Sequence, residues 1–250
     1  FGACSIRRRD RQADDGDGTR IPAGSRQWRH LSDMNKLLLV TRPNHDPATH
    51  YLYYWSQFVI DEAKRKHIPV YDVSGAKATK RTFLSYLRSK HPGLLFLNGH
   101  GGAQTVTGQN YEILLDETVN KDFVTDSIIY ARSCDSGKIL GSILIQRGVL
   151  AFIGYTRKFI VGTTRSKTTK PLEDPLAKLF LEPSNLIPTT LLKGHSVGEA
   201  DRRSKKEMIK NFQKMISSAG SFEERFAARW LWSNIRSQVV IGDKNASLHS

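Results

Sequence analysis

Short, unbroken apolar runs recur along the chain at 36–41 (KLLLVT), 68–73, 94–97 (LLFL), 128–131 (IIYA) and 150–155. They are rich in branched and aromatic residues and lack the polar alternation of a strand with one face in water. They therefore predict strands buried on both faces, as in the centre of a parallel sheet. Between them the apolar positions recur with a helical period. Residues 47–66 place Tyr51, Trp55, Phe58 and Val59 on one face, and helices are also expected at 79–90 and 137–147. The βαβαβ alternation predicts an α/β domain whose mostly parallel sheet carries helices on both faces. A small added strand or hairpin is expected at 111–115. Helices are expected at 172–181, from Ser196 onward and at 222–236, with Pro183 and Pro188 bracketing a turn and a frayed C-terminus.

Two of the predicted strands end in residues that carry chemistry. The run 94–97 breaks into Asn98-Gly99-His100-Gly101-Gly102, and 128–131 runs into Arg132-Ser133-Cys134-Asp135-Ser136-Gly137. In open parallel sheets, ligands bind beyond the carboxyl ends of the strands. If the two strands are neighbours, the His100 imidazole and the Cys134 thiol face one cleft. An imidazole can take the proton of a thiol, and the thiolate is the nucleophile. The pattern after Ser136 predicts a helix whose N-terminus lies close to Cys134 and favours the thiolate. The N–H groups of Gly101 and Cys134 are candidates for holding the oxyanion of a tetrahedral intermediate. Asp135 either orients a basic group or serves as a helix-opening carboxylate. The basic loop 157–170, which starts at Arg157, is expected to be mobile and to rim the same cleft. Cys134, His100 and Gly101 are thus the candidate catalytic residues, and Arg132, Asp135 and Arg157 the candidate substrate contacts.

"NGHGG" and "ARSCDSG" together resemble the caspase-like cysteine peptidases, the group with caspases, legumain, gingipains, clostripain, separase and bacterial CHAT-domain proteases. That group carries a His-Gly pair after one core strand and its cysteine after the next. "SCDSG" is close to the cysteine motif of legumain. Over roughly 35–214, the resemblance implies a caspase-like three-layer sandwich and a cysteine endopeptidase acting through Cys134 and His100, with no third catalytic side chain named. It also implies a protein or peptide substrate and leaves open a regulatory protein partner of the CHAT type. In related enzymes the residue two before the cysteine helps line the pocket for the side chain preceding the scissile bond. Carried to Arg132, this implies cleavage after Asp or Glu, or after a polar residue able to accept from Arg132. The alternative for Arg132 is an ion pair with Asp116 or Asp135 that braces the motif.

Composition narrows the remaining classes. The 250 residues include 38 Lys and Arg against 24 Asp and Glu, a net charge of +14. Nucleic acid is a conceivable partner, but no aromatic ladder, zinc-finger spacing or helix-turn-helix signal accompanies the scattered basic residues. No apolar run approaches a membrane span and no signal peptide is visible. With two cysteines, one of them in the polar stretch before residue 34, a reducing cytoplasm is the expected compartment. Residues 1–33 are expected to be a flexible extension, and 34–250 a single domain. His45, Asp46 and His50 match no standard zinc spacing and are expected to be solvated loop residues, so no metal or cofactor is assigned. One competing reading survives at Gly194-His195-Ser196-Val197-Gly198, which fits the nucleophile elbow G-x-S-x-G of a serine hydrolase or acyltransferase. A helix N-cap with Glu199 closing a capping box is the other account of Ser196. A non-catalytic basic scaffold that docks an acidic or nucleic-acid partner is the third class.

Overall fold

The computed structural model describes residues 36–248; the expected extension at 1–33 lies outside them. Six strands form the main sheet: β1 (Leu38–Arg42), β2 (Val70–Ser74), β3 (Leu94–Asn98), β7 (Ile128–Arg132), β8 (Ala151–Tyr155) and β9 (Gln238–Gly242). Their order is β2-β1-β3-β7-β8-β9, all neighbours parallel except the β8–β9 pair. A three-stranded antiparallel sheet of β4 (Gly101–Gly102), β5 (Thr105–Thr107) and β6 (Ile113–Leu115) follows β3. In register, Asn98 stands beside Arg132, so β3 and β7 end together.

Strand alternation divides the core between the faces of this sheet. Leu38, Val40, Leu94, Phe96, Ile128, Tyr130, Ile153 and Tyr155 face one layer. That layer holds α2 (Gln57–Arg65), α6 (Pro175–Leu192) and α7 (Val197–Ile216), with α1 (Pro47–Trp55) and α8 (Phe222–Ser237) joining them in a further apolar cluster. Leu39, Leu95, Leu97, Ile129, Ala131 and Phe152 face the other layer, which contains α3 (Lys80–Lys90), α4 (Lys121–Val124), α5 (Leu140–Gln146) and the small sheet. Burial of both strand faces explains the absence of polar alternation in the runs. Each such Leu or Ile stabilises the fold by about 1.5–3 kcal/mol relative to exposure.

Several elements depart from expectation, each for a local reason. The segment 47–66 is two helices, not one. At the junction the Ser56 hydroxyl and the Arg42 guanidinium both donate to the Tyr53 carbonyl, which competes with the helical ladder. Pro183 and Pro188 do not bracket a turn but sit inside α6. A proline cannot donate to the carbonyl four residues back, and the Leu179 carbonyl accepts instead from Asn211 Nδ2 at 2.9 Å. The C-terminal stretch pairs as β9 over 238–242. Among the described residues no helix is long and apolar enough to cross a membrane.

Candidate active site

The chain leaves β7 through Ser133 and Cys134 and makes a tight turn. Asp135 adopts φ 58°, a left-handed conformation that a short polar side chain tolerates. Two main-chain bonds pin this turn to the end of β8: Asp135 N–H to the Arg157 carbonyl at 3.1 Å and Gly137 N–H to the Tyr155 carbonyl at 2.9 Å. The expected helix start near Cys134 is not found. The residues after it form a turn and α5 begins only at Leu140, so Cys134 does not stand at the first turn of that helix. Cys134 Sγ lies 3.8 Å from the Phe159 carbonyl oxygen, and burial pushes its thiol pKa up.

His100 follows β3 and its backbone is equally fixed. Its carbonyl accepts from the Thr107 N–H at 2.9 Å and from the Thr107 hydroxyl at 3.2 Å. The preceding Gly99 is required sterically, because a Cβ there would lie 2.0 Å from the Thr107 carbonyl oxygen. The imidazole Nε2 lies 2.6 Å from Asp46 Oδ2. Asp46 is the N-cap of α1, where its Oδ1 accepts from the Thr49 N–H at 2.8 Å. Although burial acts to raise the Asp46 pKa, hydrogen bonds from Thr49 and His100 hold the carboxyl well below the usual carboxylate range. Tyr111 donates to the same Oδ2 at 3.1 Å and stacks on His100, with ring centroids 5.0 Å apart.

Asp46 was missed as a site residue because nothing in its surroundings marks it beyond a cap-then-proline pattern. Its partner lies 54 positions away. His45 is likewise no solvated loop residue. Its side chain is 8% exposed, and neither ring nitrogen makes a hydrogen bond. His45, Asp46 and His100 together bring three metal-competent atoms within 4.8 Å of one another. His50, by contrast, pairs with Asn44 Oδ1 at 2.9 Å.

A cleft of about 360 Å³ opens at the carboxyl ends of β3 and β7, and both His100 and Cys134 line it. One wall is the start of α1, with Tyr51 and Leu52; the other is the segment after β8, with Lys158, Phe159 and Val161. That segment rims the cleft as expected but is tethered along its length. Asn234 of α8 holds Ile160 from both sides, donating to its carbonyl at 2.7 Å and accepting from its N–H at 3.1 Å. Further on, Asp174 accepts from the Thr164 N–H at 2.7 Å and from the Tyr51 hydroxyl at 2.7 Å, tying the two walls together.

The expected substrate contacts need correction. Arg132 does not line the cleft; it is fully buried beneath it. It shares the strand face of Tyr130, which points into the helical layer. Its guanidinium donates to Asn98 Oδ1 at 2.8 Å, Ser184 Oγ at 3.0 Å, Asn185 Oδ1 at 2.9 Å and the Leu52 carbonyl at 3.3 Å. Among the described residues none of these partners is acidic, so the ion pair with Asp116 or Asp135 is not formed either. Burial lowers the Arg132 pKa to about 10. Asp135 pairs with Lys138 at 2.8 Å and is not part of the cleft lining. Arg157 turns to a separate groove with Arg229, Trp232 and Arg236. Gly101 packs against the Cys134 segment, where a Cβ would lie 2.9 Å from the Cys134 carbonyl oxygen. Ser196 is no nucleophile elbow, since it joins two helices instead of ending a strand. Its hydroxyl accepts from the Glu199 N–H at 3.3 Å as the N-cap of α7. The Glu199 carboxylate does not close a capping box but pairs with Arg202 and Arg203.

A mostly parallel α/β sandwich with histidine and cysteine at adjacent strand ends is the caspase-like fold. Among solved structures the chain is similar to the Arg-specific cysteine proteinase gingipain R (RgpB), with a TM-score of 0.59, 10% identity and 86% of this chain covered. It is also similar to the complex of the pro- and mature domains of RgpB from Porphyromonas gingivalis, with a TM-score of 0.54 and 11% identity over 86% of this chain. The chain spans about half of each of those chains, 48% and 49% respectively. No protein-family model matches the sequence. No curated protein matches it significantly.

Proposed function

We propose that this chain is a cysteine peptidase in which Cys134 attacks the peptide carbonyl and His100 carries the proton. The observation that carries this reading is that both residues line one cleft while Asp46 holds Nε2 of the imidazole. An ionised Asp46 can only accept, so Nε2 of His100 carries a hydrogen and Nδ1 keeps its lone pair to take the thiol proton. Asp46 would act as a positioning residue that stabilises the imidazolium formed. The main-chain N–H groups of Gly101 and Cys134 are the proposed oxyanion donors. A raised thiol pKa in the resting state fits a nucleophile that ionises only when substrate brings imidazole and sulfur together.

The proposed substrate is an extended peptide with a neutral, apolar side chain before the scissile bond. The cleft lining is largely apolar, and among the described residues Lys158 is its only lysine, arginine or carboxylate. The Arg specificity of gingipain R is not carried over, because among the described residues the lining has no carboxylate to pair with an arginine. The resemblance to CHAT-type proteases adds regulation by a partner protein to this proposal. The test is labelling by an electrophilic thiol probe together with peptide-library cleavage in Cys134→Ala and Ser196→Ala, both made in a Cys4→Ser background so that Cys134 is the one thiol under test. Both signals should vanish in the first and persist in the second. Labelling that persists in Cys134→Ala overturns the reading.

A second reading is favoured by the groove lined by Arg157, Arg229 and Arg236 with Trp232. None of these arginines has an ion pair among the described residues, so the groove could dock an acidic protein or a nucleic acid. Binding through it would fall steeply with salt and would not require Cys134.

A further inference from the structure

We infer that His45, Asp46 and His100 form a binding site for one divalent ion of borderline softness, Zn²⁺ above all. The donor set is two imidazoles and one carboxylate, a combination that suits zinc and leaves a fourth position for water. The three atoms already lie within 4.8 Å of one another. A tetrahedral ion with bonds of about 2.0–2.2 Å holds its ligand atoms roughly 3.5 Å apart. His45 Nε2 and Asp46 Oδ2 stand at 3.5 Å, and His100 Nε2 and Asp46 Oδ2 at 2.6 Å. The second pair has to open, and the two imidazole nitrogens, which lie within 4.8 Å of each other, have to settle at the same spacing; the His100 side chain is 34% exposed.

The second observation is His45 itself. Its side chain is more than nine-tenths buried and faces the Asp46 carboxylate, yet neither ring nitrogen makes a hydrogen bond. Buried polar atoms in folded proteins nearly always have a partner, and one without a partner calls for an explanation. The ring is held by edge-on packing against Tyr111 at 4.8 Å, and its centroid lies 6.0 Å from that of His100. A cation at the centre of the three ligand atoms satisfies an imidazole that makes no hydrogen bond and has only the Asp46 carboxylate facing it at 3.5 Å. Sequence spacing conceals the site, because two ligands precede α1 and the third follows β3.

The consequence rests on the peptidase reading above. An ion bound at His100 Nε2 displaces the hydrogen from that nitrogen. The neutral ring then carries its hydrogen on Nδ1, where no lone pair remains to accept the Cys134 proton. Zinc would thus silence the enzyme by fixing the wrong tautomer, without contacting the sulfur.

Calorimetric titration of ZnCl₂ into the chelator-treated full chain tests the site without any substrate, so it stands or falls apart from the peptidase assignment. One ion should bind per chain in the wild type and in Cys134→Ser, and affinity should fall by about 100-fold or more in His45→Phe, as expected for a lost ligand. Unchanged affinity in a folded His45→Phe, or loss of binding in Cys134→Ser alone, overturns the site. Should His45→Phe fail to fold, Co²⁺ added to the wild type decides the matter. Visible bands without a thiolate charge-transfer band in the near ultraviolet are expected, and such a thiolate band refutes the assignment. Inhibition of cleavage by Zn²⁺, reversed by chelator and weakened in His45→Phe, is the separate readout of the tautomer consequence.

Discussion

His100 Nε2 and Asp46 Oδ2 stand 2.6 Å apart, although 54 positions separate them in the chain. One residue ends a sheet strand and the other caps a helix, so the contact forms only when α1 docks over the end of β3. It fixes which nitrogen of the imidazole is left for chemistry.

Asp46→Asn should therefore lower kcat/KM for peptide cleavage by about 100-fold, within the range that general acid–base positioning commands. Asparagine caps helices as well as aspartate does, but it carries no charge for the Thr49 and His100 hydrogen bonds to stabilise, so the melting temperature should fall at neutral pH and approach that of the wild type in acid. The sign of the pH effect follows from the lowered pKa. The carboxylate contributes stability above its ordinary value of 3.8 and loses that contribution as pH falls through the lower folded value. The acid side of the stability profile should flatten in Asp46→Asn. A variant as active as the wild type would remove Asp46 from the mechanism.

Arg132 braces the cleft floor and does not read the substrate. Arg132→Ala strands the acceptors on Asn98, Ser184 and Asn185, at a cost of about 1–3 kcal/mol for each buried group left unmade. Urea denaturation should show a loss of at least about 3 kcal/mol, once partial relaxation of the three groups is allowed for. In Arg132→Lys, if folded, a peptide-library profile should keep the wild-type preference before the cut. A switch in preference would return Arg132 to the substrate pocket.

The Cys134 thiol, with its pKa pushed up by burial, should be sluggish toward alkylating reagents in the resting enzyme. Below the pKa the thiolate fraction, and with it the alkylation rate, should rise about tenfold per pH unit with no plateau before roughly pH 9. The pH dependence of iodoacetamide labelling measures this directly. A plateau near neutral pH would mean that a thiolate–imidazolium pair already exists without substrate.

Asn234 holds the segment that walls the cleft, through both polar groups of the Ile160 backbone. In Asn234→Ala these two groups lose their partner, costing about 1–3 kcal/mol locally. Amide exchange over residues 158–163 should accelerate. KM should rise more than kcat falls, because the wall and not the reacting pair is loosened. Unaltered exchange there would show that apolar packing alone fixes the wall.

The sheet was legible because its signal is local. A strand buried on both faces must be apolar throughout, and Leu94 to Leu97 and Ile128 to Ala131 advertise that without help from the rest of the chain. The placement of His100 and Cys134 at the ends of adjacent strands, beside one cleft, was legible because glycine and polar residues close both apolar runs. Helix boundaries were read less well wherever a distant side chain settles them. Pro183 looks like a breaker until Asn211 supplies a partner for the Leu179 carbonyl. The run 47–66 looks continuous until Arg42 competes for the Tyr53 carbonyl.

What the sequence by itself determined is the layered α/β class and the presence of one histidine and one cysteine at strand ends. Both follow from burial periodicity and turn chemistry, which act over a few residues. Tertiary structure alone decided the surroundings of that pair. It turned Arg132 inward onto neutral partners, took Arg157 to another groove and delivered Asp46 and His45 to His100. Those outcomes depend on which face of which helix packs against the end of the sheet. Hydrogen-bond satisfaction in the buried interior fixes that choice, through contacts between positions tens of residues apart.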